Sequence, residues 1–361
     1  MVSKQLERIV GEKKSLLLYQ RGKKKAIKFS APYLQEPFGG MLPREVLVIA
    51  GPTSSGKTYN LQRMKSDAFN KDLNPNCDNF VWLDYSLEMK LQSLILRELS
   101  SALGKTKKEI LFNEFKDVEL PAVARVFEKF SNERVYIHDT PLTPELFKEQ
   151  TLSFLSEHTN KDAVFISIDH LALIRGGNKT ATIGETLSYI NEMKLMFDNV
   201  FFILLSQMSP DYFRRMSERD RSSVPQLTDL FYSSEINMLC DYLVVTTSPE
   251  RFGIIEYSSF NPDRYYYLEK YFTEPDRKGK VAFQTDGLIF YHLLKAREAE
   301  PGYDDIFITE LRPRQEKIKL TVQQEIFQSK QSQELYAKLV GAEVKPNKDL
   351  ESVFDDLPFK K

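Results

Sequence analysis

The chain has 361 residues, 42% of them hydrophobic, which is enough for a large packed core or for a domain of about 250–300 residues with extensions. Its 50 Lys and Arg against 51 Asp and Glu give a formal charge of −1, which excludes nucleic-acid binding by bulk charge and leaves that work to local patches. Two separated cysteines, Cys77 and Cys240, fit neither a disulfide framework nor a metal spacing, the N-terminal MVSKQLERIV lacks the apolar stretch of a secretion signal, and no apolar run is long enough to span a membrane; the expectation is a soluble, cytoplasmic protein.

In chain order, residues 1–28 hold a short amphipathic segment (Leu6, Ile9, Val10) and a basic run, RGKKKAIK. Six short runs rich in β-branched and aromatic residues then predict buried strands: VLVIA (46–50), NFVWL (79–83), RVYI (134–137), AVFISI (163–168), VFFILL (200–205) and YLVVT (242–246). Helices are predicted between most of them. One spans Leu61 to Ala68; a second spans Leu91 to Leu103, with apolar residues at 91, 94, 95, 99 and 103; a third puts Ile183, Leu187, Ile190, Met193 and Phe197 on one face. Strands alternating with helices predict an α/β fold with a mostly parallel sheet covered on both sides. Residues 254–311, rich in Tyr and Phe, read as further strands joined by hairpin turns. Beyond them the charged stretch 312–361 predicts one helix (Val322 to Val340) and a loose tail. The expected division is a linker at 1–28, a motor-sized domain at 29–311 and a C-terminal extension at 312–361.

Directly behind the first strand stands GPTSSGKT, Gly51-Pro52-Thr53-Ser54-Ser55-Gly56-Lys57-Thr58, followed by Tyr59. This fits G-x-x-x-x-G-K-[ST] without a mismatch. The glycines let backbone N–H groups converge on phosphate oxygens, and the helix that follows turns its positive end toward them. Lys57 neutralises β/γ-phosphate charge, and Thr58 offers a hydroxyl to Mg²⁺. Phosphoryl transfer also needs a metal-holding carboxylate and a group that positions water. Asp169 closes the apolar strand of AVFISIDH, where an open α/β sheet presents its ligand edge, although it can instead cap the next element. Glu88, just past NFVWL, is the candidate for the water; Asp84, nearer the strand, competes with it.

Several further stretches, taken together, resemble one family. SLEM (86–89) with the following LQSLILRELSSALG, IDHLALIRG (168–176), LLSQM (204–208), PQLTDLFYSSEINMLCDYLVV (225–245), LLKAREAEPG (293–302) and the approach PFGGMLPREVLVIAGP stand in the order found in DnaB-like replicative DNA helicases of superfamily 4. The resemblance covers roughly residues 28–311 and implies a RecA-like P-loop motor that assembles as a homo-hexameric ring on single-stranded DNA. By resemblance, Lys57, Thr58, Glu88, Asp169 and Gln207 line one side of each ATP and Mg²⁺ site, with Gln207 sensing the γ-phosphate. Lys295 and Arg297 reach across from the neighbouring subunit. Phe231, Tyr232 and Ser234 stand where the family commonly has Arg, Glu and Gly. A recombinase or another DNA-dependent ATPase that does not unwind, and an adaptor using nucleotide as a switch, share the cradle and remain open.

For the DNA strand, two loops offer cations: RGGNKT (175–180), with Arg175 and Lys179, and DYFRRMSERDR (211–221), with Arg214, Arg215, Arg219 and Arg221. The second carries four arginines against three acids, so a solvated loop is the competing reading. Tyr265, Tyr266 and Tyr267 are expected either to stack bases or to alternate across a strand. The terminal DLESVFDDLPFKK resembles the acidic tip of single-stranded-DNA-binding proteins and is either a partner-binding tail or a plain tail; primase, a helicase loader and a single-stranded-DNA-binding protein are the partners the resemblance implies.

Overall fold

Each of the six apolar runs forms a strand, and each extends by one to three residues at its C-terminal end, to Gly51, Ser86, His138, Asp169, Gln207 and Thr247. The computed structural model of the chain describes residues 26–218, 224–231, 233–260, 262, 263, 265–297 and 305–310. These fall into two compact units, one drawn from 1–87 and 140–311, the other from 88–139. The expected helix at 322–340, the tail and the segment 1–25 lie outside the described residues.

In the first unit, β1 (Val46–Gly51), β2 (Phe80–Ser86), β4 (Ala163–Asp169), β5 (Val200–Gln207) and β6 (Tyr242–Thr247) run parallel, and β9 (Leu288–Ala296) and β10 (Asp305–Glu310) are antiparallel additions. The strand order is β10-β9-β6-β1-β5-β4-β2. The five parallel strands are buried along almost their whole length, as strands covered on both faces must be, and this explains their unbroken apolar sequences. The helices of this unit are α1 (Pro32–Phe38), α2 (Lys57–Ala68), α6 (Pro144–Glu157), α7 (Lys179–Met196), α8 (Pro210–Ser217) and α9 (Ser233–Leu239). The expected helix at 61–68 starts four residues earlier, at Lys57, directly from the cradle. α6 was not legible as amphipathic, yet its start is: Thr143 accepts a hydrogen bond from the Leu146 N–H at 3.3 Å and Pro144 occupies the first turn.

Asp84 is 1% exposed inside β2, forms an ion pair with Lys65 of α2 and accepts a hydrogen bond from the Ser167 hydroxyl at 2.5 Å. The same hydroxyl accepts from the Trp82 indole at 2.8 Å. A carboxylate tied this deeply into the sheet cannot meet an attacking water, so the competition between Asp84 and Glu88 is resolved against Asp84. The tyrosine run is corrected as well: 266–271 is a 3-10 helix rather than a strand, with Tyr265 buried and Tyr266 and Tyr267 exposed. Of the hairpins expected over 254–311, β9 and β10 form an antiparallel pair of chain neighbours, whereas β7 (Glu256–Phe260) and β8 (Val281–Gln284) pair antiparallel across a long connection that includes the 3-10 helix and not across a hairpin turn.

The second unit contains α3 (Leu91–Leu103), α4 (Lys107–Phe112), α5 (Leu120–Phe130) and β3 (Val135–His138). Its core joins Leu99, Ile110, Leu120, Val123, Ala124 and Val126. A reciprocal cap starts α4, in which Thr106 and Glu109 each satisfy the other's backbone N–H.

Candidate functional site: a phosphate cradle at the sheet edge

The parallel strands of the first unit all end at one edge. Their register aligns Gly51 of β1 with Gln207 of β5, and Ser86 of β2 with Asp169 of β4. Because β4 and β5 are neighbours, the cradle, Gln207 and Asp169 share that edge. This is where an open α/β sheet presents ligand sites.

Backbone geometry forces two glycines in the loop. A Cβ on Gly51 would collide with the Thr246 carbonyl and the Ser55 hydroxyl, and Gly56 adopts φ 93°, a left-handed conformation that favours glycine. Gly56 is also the N-cap of α2 and has no side chain to cap it, so the positive end of α2 faces the cradle. Pro52, Ser55, Lys57 and Thr58 are buried, while Thr53, Ser54 and Tyr59 are exposed at the rim. The Lys57 ammonium donates to the carbonyls of Gly51 and Pro52, both at 2.8 Å, and so closes the loop on itself. Two side chains from β6 and just beyond it brace the cradle: the Thr246 hydroxyl donates to the Ser55 carbonyl at 3.0 Å, and Arg251 donates to the Ser54 carbonyl.

Asp169 is 2% exposed at the end of β4, and its carbonyl accepts the Leu87 N–H at 2.8 Å. It ends its strand rather than capping a helix, since the 3-10 turn at 171–173 has His170 as its N-cap. The next residue after Leu87 is Glu88, which opens the second unit and is exposed. Gln207 donates its side-chain amide to Nε2 of His170 at 3.1 Å, which links the ends of β4 and β5. Among the described residues no group of three or more His, Cys, Asp or Glu side chains forms a self-contained metal site. One hydroxyl (Thr58) and one buried carboxylate (Asp169) fit Mg²⁺ well, because that ion keeps several waters and takes its remaining ligands from substrate phosphates.

Lys295 and Arg297 do not join this edge. β9 runs antiparallel to β6, so its C-terminal end, Ala296, pairs with Tyr242 at the start of β6. The Arg297 guanidinium donates to the Met238 carbonyl at 2.8 Å and pairs with Asp241 at 3.0 Å, and Asp241 in turn accepts the Val46 N–H at 2.8 Å. Lys295 donates to the Asn237 carbonyl. Both cations therefore sit at the Val46 end of the sheet, with the length of β1 between them and the cradle, roughly 16 Å at about 3.3 Å per residue. That is beyond the reach of either side chain. Between them, Cys240 is buried, which pushes its thiol up to about 11 and keeps it an inert thiol.

The strand-contact candidates separate into three kinds. Arg175 is exposed in the loop after β4, and Arg214 is exposed on α8 with a loose pairing to Asp211 at 3.4 Å. Lys179 is the first residue of α7, capped by Asn178, and its ammonium donates to the Ile174 carbonyl at 2.8 Å. Arg215 is already engaged: its guanidinium forms a two-pronged ion pair with the buried Asp229, at 3.0 and 2.6 Å, which ties α8 to the 227–229 turn while the side chain stays 28% exposed. Arg219 and Arg221 lie outside the described residues. The expected arginine loop is, over 210–217, a helix started by Ser209, Pro210 and Asp211 at N-cap, first turn and acidic first-turn positions. His170, Arg251 and Asp241 carried no assigned role in the sequence, and only the folded contacts single them out.

A glycine-braced phosphate cradle on a mostly parallel, RecA-like sheet defines a P-loop nucleotide-binding protein. The sequence model of the DnaB-like helicase C terminal domain matches residues 27–282, and the chain belongs to that family. Two solved structures carry the same fold. One, described as "The Structure Of A DnaB-Like Replicative Helicase And Its Interactions With Primase", has a TM-score of 0.56 and 17% identity over 81% of this chain and 62% of that one. The other, the "ATPase Domain of G40P", has a TM-score of 0.57 and 17% identity over 85% of this chain and 94% of that one. This chain thus spans less than two thirds of the length of the first. Comparison with curated proteins returned no match. No helix among the described residues is long and apolar enough to cross a membrane.

Proposed function

We propose that this chain is an ATP-driven replicative DNA helicase whose copies assemble as a ring on single-stranded DNA and hydrolyse ATP in the seams between neighbours. The observation that carries this reading is the distance between the two halves of the chemistry. Gly51–Tyr59, Asp169 and Gln207 gather at one sheet edge, while Lys295 and Arg297 end at the opposite edge of the same sheet. A second copy facing the first is the economical way to bring a guanidinium to the γ-phosphate.

Within each seam the chain's residues divide the work. The cradle N–H groups and Lys57 bind and orient the triphosphate, and Thr58 with Asp169 would hold a Mg²⁺ that offsets phosphate charge. Glu88 orients and deprotonates the attacking water. Gln207 reads the γ-phosphate and, through His170, connects that reading to the chain that leaves β4 toward Arg175. Arg297 and Lys295 neutralise charge that grows in the transition state of the neighbouring copy, so turnover depends on assembly. Residues 29–311 constitute the motor, 1–28 a linker for the adjoining copy, and 312–361 an extension for partners such as primase, a loader or a single-stranded-DNA-binding protein, in the cytoplasm.

The deciding experiment is unwinding of a forked duplex with ATP beside mass measurement of the assembled species. Strand separation by a closed oligomer is expected. DNA-stimulated turnover on open filaments without strand separation would instead favour a recombinase-like ATPase.

Strand binding has its own test. Joint replacement of Arg175, Lys179 and Arg214 by alanine removes three cations, and every phosphate left without its cation should flatten the salt dependence of single-strand binding by about 0.7 in log–log slope. An unchanged slope assigns all three to solvent. Arg215→Ala should act differently, destabilising the fold by roughly 1–3 kcal/mol because the buried Asp229 carboxylate loses its cation and keeps the Gln226 N–H. Thermal melting distinguishes the two effects.

A further inference from the structure

We propose that Asp241 is the positioning residue of the trans-acting arginine: it holds Arg297 by one edge of its guanidinium and leaves the other edge presented outward. The inference rests on the shared-seam reading above. Asp241 occupies the turn between α9 and β6, and its side chain is 9% exposed. One oxygen pairs with Arg297 at 3.0 Å. The other accepts the Val46 N–H at 2.8 Å and the ammonium of Lys194, from the last turn of α7, at 2.8 Å. The backbone repeats the connection, with the Arg297 N–H donating to the Asp241 carbonyl and the Asp241 N–H to the Val46 carbonyl, at 2.8 and 2.9 Å. The carboxylate is therefore anchored to the central strand and cannot follow Arg297 if that side chain swings.

A guanidinium carries five N–H donors in a rigid fork. Asp241 and the Met238 carbonyl engage two of them, and the side chain remains 45% exposed. Such a group can be fixed from behind and still offer N–H donors to a phosphate in front. Charge is also conserved where it is needed. Two cations, Lys194 and Arg297, share the Asp241 carboxylate, so it does not cancel the charge of Arg297 outright. Asp241 thus converts a flexible side chain into an oriented one before the neighbour arrives, which lowers the ordering cost at the moment of reaction.

The test replaces Asp241 with Asn, which keeps the shape and an acceptor for the Val46 N–H but removes the charge. A misplacement of about 1 Å at a reacting group can cost 10²-fold, so DNA-stimulated kcat is expected to fall by roughly that factor with KM for ATP little changed. Mixed assemblies locate the defect. D241N mixed with Lys57→Ala subunits should recover turnover, because the former supply sound cradles and the latter sound arginines, while D241N mixed with Arg297→Ala should not. Recovery with Arg297→Ala instead would overturn the proposal, since it places the defect in the variant's own cradle. Loss of ATP-analogue binding by D241N alone would overturn it equally. The control mixture of Arg297→Ala with Lys57→Ala tests the shared seam itself; its failure sinks that reading, whereas its success with failure of the D241N mixture sinks only the role of Asp241. Should the Asn variant not fold, Asp241→Glu keeps the charge, shifts the carboxylate by one methylene and is read in the same mixtures.

Discussion

Lys57→Ala lowers DNA-stimulated ATP turnover by at least about 10²–10³-fold, the loss expected when one preorganised charge is withdrawn from a developing phosphoryl transition state. The reason lies in how the cradle is built. Lys57 is 8% exposed and its ammonium donates to the carbonyls of Gly51 and Pro52, so it closes the loop before any phosphate arrives. Alanine removes both the positive charge and that closure, and weakened binding of nucleotide accompanies the loss of rate. The fold should survive. α2 continues for eleven residues beyond Lys57, and the loop stays fixed at Gly51 by the close approach of Thr246 and at Ser55 by the Thr246 hydroxyl. Two lost hydrogen bonds are worth about 1 kcal/mol each, so the melting temperature should fall by only a few degrees. Lys57→Arg should not restore the rate, because a planar fork does not reproduce a compact ammonium between two carbonyls. Phosphate release measured beside thermal melting checks all three statements. Turnover within tenfold of the parent protein would remove the cradle from the chemistry.

What could be read from the sequence and what could not divide along physical lines. The parallel strands were legible because burial on both faces leaves an unbroken apolar run, and runs as short and aromatic as NFVWL or VFFILL suit a buried strand better than a helix. The cradle was legible because its glycines answer local demands, a left-handed φ at Gly56 and a close approach at Gly51, that only one residue type meets. Pairings between distant segments were not legible. Arg215 reads as one more cation in a basic stretch until Asp229, fourteen positions on, is folded against it. Asp84 reads as a free carboxylate until Lys65 and Ser167 close over it. α8 lay between these cases, since Ser209-Pro210-Asp211 is a helix start that the density of arginines obscured. The direction of β9 was the most consequential of the hidden facts. A lysine and an arginine two apart on a strand say nothing about which sheet edge they reach, and the antiparallel pairing with β6 decides it.

That direction makes Arg297→Ala the sharpest test of the whole scheme. Loss of the guanidinium should cost about 10³-fold in turnover while leaving the variant's own nucleotide binding intact, because the residue completes a neighbour's site and not its own. The substitution should also be mild for the fold. Asp241 keeps the Lys194 ammonium and the Val46 N–H, so no buried charge is stranded, and Arg297 itself is almost half exposed. Turnover and nucleotide binding are thus expected to separate, which a residue acting inside its own cradle, as Lys57 does, would not achieve. Mixing supplies the quantitative form. In a head-to-tail ring each seam takes its cradle from one copy and its arginine from the next, so equal amounts of Arg297→Ala and Lys57→Ala subunits should restore roughly a quarter of the seams. If seams act independently, turnover returns to about that fraction of the parent protein, although each variant alone is inactive. Glu88→Gln subunits should serve in place of Lys57→Ala, which would put Glu88 on the cradle's side of the seam. Parent turnover per chain should also rise steeply with protein concentration as copies associate. A mixture that stays silent, together with a dilute parent chain that hydrolyses ATP at full speed, would mean that one copy holds a complete site, and the separation of Arg297 from the cradle along β1 would then have no part in turnover.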